Sequence, residues 1–142
     1  MAFVLTILVG KLSANQDFVV NSQKILKISC LETEAPVVHT ALQILTHDWQ
    51  DVFGVKPQMC LSDGDLIVGT WESSLIRQTG IDVSMLRGKH EAFLLTVSPK
   101  GRLIIAGSDK RGTAYGIMEL SRLIGVSPWE WWADCTPYKA NV

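Results

Sequence analysis

From Gly107 to Asp134 the chain reads Gly-Ser-Asp-Lys-Arg-Gly-Thr-Ala-Tyr-Gly-Ile-Met-Glu-Leu-Ser-Arg-Leu-Ile-Gly-Val-Ser-Pro-Trp-Glu-Trp-Trp-Ala-Asp. No other segment limits the fold as much. It follows an apolar run, Arg102-Leu-Ile-Ile-Ala106, that reads as a buried strand. A short loop with two glycines comes next, then apolar residues at helical spacing up to Gly125. A strand, a tight loop and a helix in direct succession point to an α/β architecture. Trp129, Trp131 and Trp132 then fall near the end of the chain. Such a cluster is costly to bury in a short exit segment and unusual to leave in water. The expectation is a surface that docks on something larger.

The loop Gly107-Ser-Asp-Lys-Arg-Gly-Thr113 opens a helix. A helix start presents unpaired N–H groups and partial positive charge, so it suits an anion, and Lys110 and Arg111 add to that field. Asp109 and Arg111 are therefore candidate substrate-binding residues. The simpler reading is that Ser108 or Asp109 caps the helix and the glycines permit a tight turn. A phosphate-binding loop is a near miss: Gly107 and Gly112 have the required separation, but Thr113 stands where a lysine is needed. Gly116, inside the helix, disfavours it by about 1 kcal/mol relative to alanine and reads as a point of close approach to a sheet.

The rest of the chain supplies the sheet. Ile25–Cys30 reads as a strand, and Glu34-Ala-Pro36 opens a helix with proline in its first turn. Val38, Ala41, Leu42, Leu45, Trp49, Val52 and Phe53 form its apolar stripe, and Gly54 is placed to stop it. Val55–Leu61 reads as an edge strand because of Pro57. Asp65–Thr70 is a buried strand, and Ser73–Gly80 a short helix. Glu91–Val97 and Arg102–Ala106 form a hairpin across Ser98-Pro-Lys-Gly101. The last helix spans about Gly112–Ile124. The expected fold is α/β (α+β): a two-layer sandwich with a mixed sheet and the helices on one face.

With 142 residues the chain is long enough for one ordinary domain. Thirteen basic residues stand against 14 acidic, which argues against general nucleic-acid binding. The apolar run Ala2–Val9 is too short to span a membrane. It reads either as the core of a secretory signal within residues 1–14 or as an edge strand, with residues 15–142 forming the single domain. Cys30, Cys60 and Cys135 match no metal-ligand spacing, and a Cys30–Cys60 bridge stays open. His39 and His47 are eight apart and lack the i,i+4 spacing of a helical metal site. They read as solvated or capping. His90 and Glu91 are neighbours that a strand would point to opposite faces. No catalytic residue, metal site or cofactor is expected within the chain. Trp129, Trp131 and Trp132 leave two readings open: a sugar-stacking platform, with Trp132 a binding candidate, or an apolar staple to a neighbouring domain.

The Gly107–Asp134 segment closely resembles the N-terminal region of glycoside hydrolase family 115, the xylan α-1,2-glucuronidases. Gly88-Lys-His-Glu-Ala-Phe93 resembles a second family segment, with His90 where tryptophan is expected. The similarity extends over roughly Phe18–Pro137. It implies a β-hexosaminidase domain-2-like accessory domain preceding a (β/α)8 catalytic barrel, with the carboxyl pair of an inverting enzyme on that barrel. On the same basis Glu91 and Glu119 lie in family-like segments and are candidates to reach the substrate cleft. Arg122 occupies a position where an acidic residue is expected. The implied parent is a secreted or periplasmic glycosidase. The implied partners are the catalytic barrel and xylan oligosaccharide. The alternatives are a carbohydrate-binding module using the tryptophans, or a purely structural interface domain.

Overall fold

The computed structural model describes Ala2–Ile7, Gln16–Asn21 and residues 24–125. Trp129, Trp131 and Trp132 lie outside the described residues. Ala2–Ile7 (β1) and Gln16–Asn21 (β2) pair as an antiparallel two-stranded sheet, Ala2 opposite Asn21 and Ile7 opposite Gln16.

The main sheet has five strands: β3 (Lys27–Ser29), β4 (Gln58–Cys60), β5 (Leu66–Thr70), β6 (Phe93–Val97) and β7 (Leu103–Gly107), in the order β4-β3-β5-β7-β6. β3 runs parallel to both β4 and β5, and β5 parallel to β7. β6 is antiparallel to β7, so the sheet is mixed. The hairpin turn is held by Ser98: its N–H donates to Arg102 O at 2.7 Å, and its Oγ accepts from Arg102 N at 3.1 Å. β5 and β7 are buried almost end to end, as strands covered on both faces must be.

Two long helices, α1 (Pro36–Phe53) and α3 (Lys110–Leu123), share one face over Ile28, Leu66, Val68, Leu103 and Ile105. α1 begins with Pro36 in its first turn, where the missing N–H costs no helical bond. It ends at Gly54, whose φ of 77° and N–H bond to Gln50 O close the last turn. Val38, Ala41, Leu42, Leu45, Trp49 and Val52 are all buried along its inner stripe. Each buried valine or leucine among them stabilises the fold by about 1.5–3 kcal/mol. α3 lies close to the sheet at Gly116, where a Cβ would come within 2.6 Å of Ile105 Cγ2.

Two layers with all helices on one face is incomplete. Successive residues of a strand point to opposite faces, so Ile67, Ile104 and Ala106 present a second apolar surface. A short helix α2 (Ser74–Gln78) and a 3₁₀ turn at Ser84–Leu86 cover it with Leu75, Ile76 and Leu86. The 3₁₀ turn carries no periodic sequence pattern, and a single turn is too short to show one. The strands are shorter than their apolar runs suggest: Ile25 is exposed and Leu26 lies outside the paired residues.

Candidate functional site

Three of the sequence candidates meet at the head of α3, beyond the carboxyl end of β7. Asp109 is the N-cap residue, in extended conformation, and its Oδ1 accepts from Gly112 N at 2.7 Å. Its other oxygen, Oδ2, accepts from Glu91 N at 2.9 Å. The capping reading of this loop is thus correct, and one carboxylate joins the helix start to the segment before β6. Ser108 reinforces the joint. Its Oγ accepts from Ala92 N at 3.0 Å and its N–H donates to Ala92 O at 2.8 Å. The approach is so close that a Cβ at Gly112 would collide with the Ala92 carbonyl oxygen.

The clamp fixes Glu91 with φ at 53°, a left-handed conformation that few side chains adopt. Its carboxylate pairs with Arg111 Nη1 at 3.1 Å. Both side chains remain open to solvent, and the exposed Tyr115 lies one turn further along α3. The two backbone N–H bonds, from Glu91 and Gly112, hold the Asp109 carboxyl below the usual aspartate range, with smaller help from His90 and Arg111. The hydrogen bond and charge of Glu91 push the Arg111 guanidinium up. Both groups are therefore locked in their charged forms. Arg111 can bind hydroxyl or carboxylate groups, whereas Asp109 can only accept hydrogen bonds, and neither is poised to move a proton at neutral pH.

Glu119 does not join this group. It sits eight residues along α3, about 12 Å from Arg111 by helical rise, and pairs with Arg122, whose Nε lies 2.8 Å from Glu119 Oε2. Arg122 thus has its partner one turn back on its own helix. Trp132 lies outside the described residues. His90 is exposed; His39 Nε2 lies 3.3 Å from Glu32 O, and His47 pairs with Asp51 one turn on. Cys30 and Cys60 are both free thiols. Among the described residues no group of three His, Cys, Asp or Glu side chains could hold a metal.

The sequence reading missed a second polar group at the same end of the sheet. Glu34 Oε1 accepts from the N–H of Thr70 at 3.1 Å and lies 3.4 Å from its hydroxyl. In the sequence Glu34 reads only as part of a helix opening. The available signal was Gly69, a glycine inside an apolar strand, which marks close approach by another group.

No protein-family model and no curated protein matches the chain. Among solved structures, a family 115 4-O-methyl-α-glucuronidase, described as having specificity for decorated arabinogalactans, matches at 53% sequence identity with a TM-score of 0.84. The match covers 87% of this chain and 16% of that one, so the chain spans a small part of its relative's length. With that identity carried over nearly the whole chain, the chain matches a domain of a family 115 glycoside hydrolase.

Proposed function

We propose that the chain is a non-catalytic domain of an α-glucuronidase that removes 4-O-methyl-glucuronic acid from a plant polysaccharide. The observation that carries this reading is the 53% identity to a 4-O-methyl-α-glucuronidase over 87% of the chain. The geometry agrees with an accessory role: Asp109 and Arg111 at the head of α3 are held ionised by hydrogen bonds, and neither is tuned as acid or base. In this reading the domain has the β-hexosaminidase domain-2-like fold and packs beside a (β/α)8 barrel that carries the carboxyl pair. Glu91 and Arg111 form part of the surface turned toward the barrel or the glycan.

The glycan is an arabinogalactan carrying the methylated uronic acid, by likeness to the solved relative, whereas the sequence resemblance implied xylan. In this reading the parent enzyme meets its polymeric substrate outside the cytoplasm, as a secreted or periplasmic protein. Two assays test the proposal. The parent enzyme should release 4-O-methyl-glucuronic acid from decorated arabinogalactan faster than from glucuronoxylan. The 142-residue chain alone should release none from either, and release by the chain alone would remove the accessory role.

A further inference from the structure

The strand order β4-β3-β5-β7-β6 contains a reversal. From β3 the chain passes through α1 to β4 on one side, while β5 leads to β7 and β6 on the other. The crevice beyond the carboxyl ends of β3 and β5 is where open α/β sheets commonly seat a ligand. Here it is filled from within. Glu34, from the loop leaving β3, reaches across to β5 and accepts the Thr70 N–H at 3.1 Å, with the Thr70 hydroxyl at 3.4 Å.

Two further observations show how closely the space is fitted around that carboxylate. A Cβ at Gly69 would lie 3.1 Å from Glu34 Oε1 and 2.9 Å from Ser73 Cβ. Ser73 is only 7% exposed, and its Oγ is buried without a hydrogen-bond partner. An unpaired buried hydroxyl is costly, so it represents unused binding capacity. On the β3 side, burial and then the Glu34 charge push the Cys30 thiol up to about 12.

We propose that this crevice is a carboxylate site occupied in cis, with Glu34 as its resident ligand, and that it accepts a free monocarboxylate when that side chain is removed. A free carboxylate has no tether. It can place one oxygen on the Thr70 N–H and hydroxyl and turn the other toward the Ser73 hydroxyl, which Glu34 leaves unpaired. In the natural chain the site is closed, so the domain holds no small ligand at its switch point. The contacts of Glu34, Thr70 and Ser73 define this site whether or not the parent is a glycosidase.

The test is thermal unfolding of the full chain carrying Glu34→Ala, with sodium acetate titrated against sodium chloride at matched ionic strength. Acetate should raise Tm saturably in Glu34→Ala, with half-saturation on the order of 10 mM, the affinity range of so small a ligand. The natural chain and Glu34→Gln, whose amide oxygen still accepts from Thr70, should respond equally to the two salts. If Glu34→Ala does not fold in chloride, it should refold in acetate. An equal response of Glu34→Ala to both salts, failure to fold in either, or an equal acetate response in the natural chain would each overturn the proposal.

Discussion

Glu34 and Asp109 perform the same elementary task at the same end of the sheet. Glu34 accepts the N–H of Thr70, the last residue of β5, and Asp109 accepts those of Glu91, just before β6, and Gly112, in the first turn of α3, so each ties together segments that lie far apart in the chain. Their surroundings differ. Glu34 faces inward over Gly69 and beside the buried Ser73, so its carboxylate closes a crevice. Asp109 lies at the surface, and its bonds hold Glu91 and Arg111 out toward solvent. One carboxylate seals the domain, while the other builds a charged surface for something outside it. A hydrogen-bonded acid is therefore no sign of function by itself; what its partners are left exposing decides.

The largest effect is expected where the exposed joint is tightest. In Gly112→Ala the new methyl meets the Ala92 carbonyl oxygen, a backbone atom that cannot swing away. The expected loss is at least about 3 kcal/mol, read by denaturant unfolding. The matching change at the sealed crevice is Gly69→Ala. Its methyl presses on the Ser73 side chain and on the end of Glu34, which can shift. There the loss should be about 1–2 kcal/mol. Equal losses, or the reverse order, would mean that the joint at α3 is looser than its geometry indicates.

Next comes Asp109→Ala, which removes the cap and the tie to Glu91. Tm should fall by about 5 °C near neutral pH. The pH dependence has a definite sign. The folded carboxyl titrates below the ordinary aspartate value because two backbone N–H groups bond to it, so its charge contributes stability that is present above that ordinary value and lost as pH falls through the lower folded one. The Tm gap between the natural chain and the variant should therefore be widest above about pH 4 and narrow below it. A gap that is constant down to pH 2 would assign the effect to lost packing.

How far these features could be read from sequence follows from their range. The helix caps are local, so Pro36, Gly54 and Asp109 declare themselves within a few residues. The hairpin turn at Ser98–Gly101 and the glycine contact at Gly116 were legible for the same reason. Glu91 and Arg111 were singled out separately, yet their pairing spans 20 residues and depends on Asp109 holding residue 91 in a left-handed conformation. No periodicity encodes that. The bond from Thr70 to Glu34 spans 36 residues and depends on the strand order, which apolar patterning does not specify. The second apolar face escaped notice because continuous runs such as Leu66–Val68 do not reveal which residues face which helix.

The smallest effect on stability separates the two carboxylates most sharply. Arg111 is largely exposed, and exposed ion pairs add little. Arg111→Ala should shift Tm by less than about 2 °C. If the head of α3 faces the barrel or the glycan, the same change should lower kcat/KM of the parent enzyme on its polysaccharide by roughly tenfold. Glu34→Gln, at the sealed crevice, should leave that rate unchanged. An Arg111→Ala enzyme with natural kinetics would show that the clamp at α3, like the one at Glu34, serves only to hold the domain together.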